Sequence, residues 1–354
     1  MEYELWSVEG QLDTPILASA QRHSVRKHLF LRITHNGISG YGEISPQPVA
    51  LNGDPVYETV VGEIIGPALT MFLSVVDREG TLPAWSRINR FAGSRSESLT
   101  AMALIEMAAF DWQLRSAKRD AVDDLGASSH PRLQSVASLL SHTSNVAAST
   151  CEQIRLKVSP KDLTQLDAEF LQSFEHPLLL DFNCSARTAE EVIELVQNVS
   201  EHAKVIGVEQ PFAPGNLIDH SQLAQRLSVV VSLDEGVRSL RDIDNIARYE
   251  AASMVCIKPA RIGGIAMTRT AISRSIEFGL VPYIGGFFES SLARRLNFLL
   301  ASTPEVGPSD VGELEALRHQ FDFLTHVEFG LGLGFDDRIS ETSTLISSSN
   351  NPGL

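Results

Sequence analysis

The 354-residue sequence has no excess of positive charge, no close cysteine pair and no glycine-rich phosphate loop. Its 29 basic residues face 44 acidic ones, for a formal charge of −15 at pH 7. Nucleic acid and anionic membranes, which attract basic surfaces, are therefore not expected partners. Cys151, Cys184 and Cys256 are odd in number and far apart, unlike a zinc site or a disulfide framework, so they read as reduced apolar fillers. Neither GxGxxG nor a Walker sequence occurs, and Gly263-Gly264 lacks the further glycines or the Lys-Ser/Thr pair of a phosphate loop. The start, MEYELWSVEG, lacks the basic and apolar blocks of a secretory leader, and no stretch reads as approaching the length of a membrane span. A cytoplasmic protein is expected.

What is present is a change of pattern along the chain. Residues 3–8 and 29–33 read as strands, His35-Asn36-Gly37 as a turn before Gly40-Tyr41-Gly42-Glu43, and residues 99–114, rich in Ala, Leu and Met, as a mostly buried helix. From about Leu133, short apolar runs alternate with polar helical stretches, the signature of βα units on a parallel sheet. Expected strands cover residues 133–139, 154–158, 177–182, 205–208, 229–233, 254–257 and 281–284, with an eighth run at 305–311. So many units favour a closed barrel over an open doubly wound sheet. The expected architecture is α/β: a TIM-like (β/α)7β barrel over residues 126–312, with an N-terminal α+β capping domain over 1–125. Residues 313–354 are expected to return to the cap and end in a frayed tail, SSSNNPGL.

Charged residues end the apolar runs: Arg155-Leu156-Lys157, Asp181-Phe182-Asn183, Glu209-Gln210-Pro211, Asp234-Glu235 and Lys258-Pro259. From Lys157 to Lys258 they recur at steps of 24, 28, 25 and 24 residues, the length of one βα unit. In a barrel such positions ring one mouth, where barrel enzymes do their chemistry. Taken singly, each acid reads first as a helix cap or a solvated loop charge. The Thr188 to Glu191 segment already offers a capping box, so the helix beyond Asp181 does not need that acid as its cap. Together, three carboxylates between two lysines repel unless a cation joins them, and hard oxygen donors suit Mg²⁺, with Mn²⁺ as a substitute.

With GYGEISP, AAFDWQL, IRLKV, LLLDFN, IGVEQPF, VVSLDEG, CIKPARIGG and IGGFFESSLAR in order, the chain resembles the enolase superfamily. Within it the likeness is to the muconate-lactonizing branch that holds o-succinylbenzoate synthases and N-succinylamino acid racemases. The resemblance implies Asp181, Glu209 and Asp234 as metal ligands and Lys157 and Lys258 as paired lysines on opposite faces of a small carboxylate substrate. Arg155 shares a strand face with Lys157 and stands where the branch usually has a lysine, a fixed positive charge beside the base. Asn183 either supports the metal site or bonds its own loop, and Glu235 either bonds Lys157 or a ligand, or faces solvent. Phe182 and Cys184 depart from the small residues common there. Glu289 resembles a substrate-contacting position, and Arg261 either tunes Lys258 or lies on a helix surface. The resemblance also implies that a mobile segment near residues 18–26, with Arg22, His23 and Arg26, and the loop after Pro46 close over the mouth, and that residues 327–339 complete the cap.

The expected reaction is removal of a proton next to a carboxylate followed by loss of water, as in o-succinylbenzoate synthase of menaquinone biosynthesis. The alternatives are N-succinylamino acid racemisation, dipeptide epimerisation or muconate cycloisomerisation. A noncatalytic metal-binding barrel is the reading from another class, and it leaves the two buried lysines unexplained.

Overall fold

The computed structural model describes residues 1–18, 21–91, 96–127, 130–139, 151–311, 332–333 and 343–351. Four antiparallel strands build the cap: β1 (Glu2–Ala18), β2 (Gln21–His35), β3 (Ile38–Ile44) and, from the far end of the chain, β11 (Thr344–Ser348). Their order is β11-β1-β2-β3. The β2–β3 turn needs positive φ at both central positions, and Asn36 (52°) and Gly37 (74°) supply it. Residues 18 and 21–26, part of the segment expected to close over the mouth, carry the β1–β2 ladder, with Ala18 paired to Gln21. Ser347 and Ser348 belong to β11, so the fraying expected of SSSNNPGL does not begin there; backbone pairing to Glu4 and Leu5 holds them. Apart from Gly332 and Leu333, the expected returning segment 327–339 lies outside the described residues.

The helix Ser96–Ala117 joins the two halves of the molecule. Its Leu104, Ile105 and Ala108 belong to the core under the cap sheet, while Met107, Phe110 and Leu114 belong to the core shared with the barrel. A helix buried all round is what its unbroken Ala/Leu/Met pattern encodes. The helix lies so close to β3 that a Cβ at Gly40 or Gly42 would come within 2.4 Å of its backbone, which accounts for the glycines of GYGE.

The expectation that no stretch approaches spanning length needs correction. The helical run Tyr57–Glu79 has 23 residues and a mean hydropathy of 1.8 over its most apolar window. It is broken at Gly66 before Pro67, and Val60, Ile64, Leu69 and Phe72 pack into the cap core. Apolar length here serves burial in the cap core, much of it against the helix Ser96–Ala117.

Seven parallel strands curl into the barrel: β4 (Gln134–Ser138), β5 (Gln153–Lys157), β6 (Leu178–Asp181), β7 (Val205–Glu209), β8 (Val230–Leu233), β9 (Met254–Ile257) and β10 (Val281–Ile284). The run at 305–311 forms no strand; Pro308 has no N–H to give, and Glu305 has φ of 73°. It still occupies the eighth position. Gly307 and Asp310 donate to β10 carbonyls at 2.7 and 3.1 Å, while the Ser309 carbonyl accepts from Gln134 N at 3.0 Å, bridging the last strand to the first.

Candidate active site

Strand register gathers the charged run ends. Lys157 pairs with Asp181 across β5–β6, Asp181 with Glu209 across β6–β7, and Glu209 with Ser232 across β7–β8, so the first three stand side by side at one end of the barrel. Asp234 follows β8 directly and Lys258 follows β9 directly, capping the short helix Pro259–Ile262. Capping of the helix after β6 falls to Thr188 and Glu191, whose box is formed, and Asp181 is left to the mouth.

The two lysines have different surroundings. Lys157 Nζ donates to Asp181 Oδ2 at 3.1 Å and to Asn183 Oδ1 at 2.8 Å. Lys258 Nζ donates to Asp234 Oδ2 at 2.8 Å and lies 4.8 Å from the centre of the Phe287 ring, a cation–π distance. Gly285 lets it extend there, since a Cβ at that position would come within 3.2 Å of the lysine Cε. Burial alone would lower the Lys258 pKa, but Asp234 raises it above the ordinary lysine value.

Arg155 does not stand free beside Lys157. Its guanidinium donates to Glu209 Oε1 at 2.9 Å, bonds Asp310 and lies 3.7 Å from Asp181. Despite its burial these acids hold its pKa well above the ordinary value, so its charge is spent on the acid ring. Glu209 also accepts from the Tyr283 hydroxyl at 2.6 Å. Burial, with Asp181 and Asp234 nearby, pushes Glu209 up to about 8 against the pull of Arg155. Asp234 is held below the usual carboxylate range, burial notwithstanding, by Lys258 and Arg261.

Asn183 bonds more than its own loop: its amide nitrogen donates to Asp181 Oδ2 at 3.2 Å and to Glu235 Oε1 at 3.3 Å. Glu235 is buried rather than solvent-facing and meets Lys157 through Asn183; burial, then Asp234 and Asp181, raise its pKa to about 7. Arg261 is no helix-surface residue. At 3% exposure it donates to Asp234 Oδ1 at 2.7 Å and grips Asp54 of the cap through two bonds. Glu289 is buried with Arg294 and Glu43 as its leading electrostatic neighbours. Arg26, from β2, is buried too, donating to the Ser45 and Phe287 carbonyls at 2.7 and 2.6 Å. The side chains of Arg22 and His23 lie outside the described set.

The sequence reading passed over Tyr283, Asp310, Asn52 and Asp54. Asp310 follows the same rule as the other acids, ending the eighth run, while Tyr283 is hidden inside an apolar strand. Asn52 and Asp54 carry no signal beyond a turn, LNGDP.

Residues 141–329 match the family model described as enolase C-terminal domain-like. The chain belongs to the enolase superfamily. It is 31% identical over 204 residues to an o-succinylbenzoate synthase of Enterococcus faecalis, a match covering 55% of this chain and 54% of that protein. It is 26% identical over 318 residues, covering 85% of this chain and 82% of the relative, to an N-succinylamino acid racemase of Amycolatopsis. A solved structure of an enolase superfamily member of unknown activity from Enterococcus faecalis superposes with a TM-score of 0.81 at 22% identity, over 98% of each chain, which speaks for the fold.

Superfamily members generally use Mg²⁺. Among the described residues no three acidic, histidine or cysteine side chains stand in ion-holding geometry, and Lys157, Arg155 and Lys258 each bond a carboxylate oxygen of the ring. The donor chemistry nevertheless fits. Three buried carboxylates supply hard oxygens, Glu209 is destabilised by its acidic neighbours, and Glu235 Oε2 is buried without a hydrogen-bond partner.

Proposed function

We propose that this enzyme is an o-succinylbenzoate synthase, taking a succinyl-bearing hydroxycyclohexadiene carboxylate to the aromatic product with loss of water. The observation that carries the reading is the pair of lysines, each at a strand end and each against a carboxylate of one acid ring. Likeness to synthases supports the choice of reaction within the superfamily.

Asp181, Glu209 and Asp234 would hold Mg²⁺, which when bound supplies positive charge for the substrate carboxylate. Lys157, released from Asp181 and acting as the neutral amine, takes the proton next to that carboxylate. The electron pair left behind moves through the ring as the hydroxyl leaves, and Lys157 returns the proton to it, so one water is formed and the ring becomes aromatic. Lys258, fixed over Phe287, faces the developing negative charge as a cation.

A second reading, N-succinylamino acid racemisation, is favoured by Arg261, which pairs with Asp234 beside Lys258. There one lysine removes the α-proton and the other delivers a proton to the opposite face. Incubating the protein with Mg²⁺ and the diene, and separately with an N-succinyl amino acid in D₂O, tests both. Loss of diene absorbance is expected, and it should vanish in Lys157→Ala with the fold intact. An unchanged diene would falsify the synthase reading, while deuterium entry with racemisation alone would install the second.

A further inference from the structure

Residues 51–54 make a tight turn of the cap, closed by Asp54 N donating to the Leu51 carbonyl at 2.9 Å, with φ of 49° at Asn52 and 83° at Gly53. Arg238, from the loop after β8, fastens the turn to the barrel by bonding both the Asn52 carbonyl and, at 3.0 Å, the Glu235 carbonyl. A Cβ at Gly53 would fall 2.7 Å from that guanidinium and would be strained at φ of 83°, so glycine suits the tip of the turn.

Two side chains leave the turn in different directions. Asn52 Nδ2 donates to Glu235 Oε1 at 3.2 Å; the same oxygen accepts from Asn183 Nδ2 at 3.3 Å, and Asn183 Oδ1 accepts from Lys157 Nζ at 2.8 Å. Asp54 accepts from Arg261 Nε and Nη2 at 2.7 and 2.8 Å, a bidentate fork. Arg261 Nη1 then holds Asp234 at its Oδ1 (2.7 Å) and its carbonyl (2.9 Å), and Asp234 Oδ2 accepts from Lys258 Nζ at 2.8 Å. One turn of the cap is thus the root of two hydrogen-bond chains, and each ends on a different lysine.

We propose that Asn52 and Asp54 are positioning residues, Asn52 for Lys157 and Asp54 for Lys258, so that seating one cap turn on the barrel aligns both lysines together. Neither residue touches reacting atoms. Each acts through two intermediates, and misplacement of a group by an ångström is enough to slow chemistry. The proposal rests on the reading of the lysines as the acid–base pair, but its test does not need the reaction.

Competitive acylation of the full-length protein with acetic anhydride, read peptide by peptide by mass spectrometry, reports how firmly each lysine is held. Asn52→Ala should raise the labelling rate of Lys157 about fivefold, the loss of one hydrogen bond of about 1 kcal/mol, and leave Lys258 as in the wild type. Asp54→Asn should do the converse, and Asp54→Glu, which keeps the charge, should bring Lys258 back towards the wild-type rate. Arg238→Ala, unseating the turn, should raise both. Equal rises at both lysines in either single-chain variant, or no rise at all, would overturn the assignment. Asn52 is half-buried and its replacement takes a neutral donor from Glu235, so its arm decides the matter even where Asp54→Asn does not fold. Where a substrate turns over, both variants should lower kcat with KM little changed. Labelling that is specific while no substrate turns over would sink the reaction and leave the positioning standing.

Discussion

At the barrel mouth, Asp181, Glu209 and Asp234 are held by side-chain cations: Lys157, Arg155 and Lys258. Along the seam between cap and barrel, Glu43 and Glu106 are buried just as deeply but, besides His28 beside Glu43 and Asn89 beside Glu106, accept from backbone at helix starts. Glu43 takes Ser290 N and Ala293 N at 2.6 and 2.9 Å, at the head of helix Ser291–Ala301. Glu106 takes Ile265 N and Ala266 N at 2.6 and 3.2 Å, at the head of helix Ile265–Glu277. An ammonium group can swing away and let a metal or substrate take its place, whereas a backbone N–H cannot. The same residue type therefore serves exchange in one region and docking in the other.

The comparison breaks most visibly at Glu209. Glu209→Gln should lower turnover in the diene assay by about 10²–10³ or more, the scale seen when one electrostatic support is removed from an active site. Its melting temperature without added metal should be unchanged or higher, because repulsion from Asp181 and Asp234 is relieved and Arg155 keeps Asp310. Stabilisation by Mg²⁺ should shrink in the same variant. A large loss of stability without metal would make the mouth acids structural, like those of the seam.

Glu106 tests the other side. Burial raises it to about 8, against the pull of the two N–H donors. The folded state therefore keeps a proton that the unfolded chain releases near 4.5, so the wild type is favoured below that pH and loses stability as pH rises through about 8. Glu106→Gln, which keeps an acceptor oxygen and never ionises, should gain on the wild type between pH 5 and 9, by at most about 1.4 kcal/mol per unit. Denaturant titrations across that range check it, with turnover per folded molecule unchanged. A stability difference that is flat with pH would show that Glu106 is charged throughout.

Much of the mouth could be read from the chain because it is built by repetition. A charge closing each apolar run, at the step of one βα unit, is enough to place Lys157, Asp181, Glu209, Asp234 and Lys258 on one rim. Asp310 obeys the same rule and was missed because Pro308 weakens its run. The seam was illegible for the opposite reason: Asp54 meets Arg261 across 207 residues and Glu43 meets Ser290 across 247, pairings that no local period encodes. Arg155 shows the limit between the two. Its place on the strand was legible, but its partners, Glu209 on β7 and Asp310 in the irregular run beyond β10, come near it only as the sheet curls.

Tyr283 offers the finest test, because it is a neutral donor to a mouth acid otherwise gripped by Arg155. Its hydroxyl lies 2.6 Å from Glu209 Oε2 and 2.9 Å from Ser232 Oγ, wholly buried, and burial with Glu209 beside it raises the phenol well above its usual value. The proton therefore stays on the phenol, and the bond it gives is a donation to the carboxylate. Tyr283→Phe keeps the ring and removes that donation, so stability should fall by about 0.5–1.5 kcal/mol in denaturant titrations. Turnover should fall less than about tenfold, since Glu209 keeps its place and its tie to Arg155. If the variant instead loses activity as completely as Glu209→Gln, a neutral bond is setting the orientation of that acid. The line between exchangeable and fixed carboxylates would then run through Glu209 itself, one oxygen on each side.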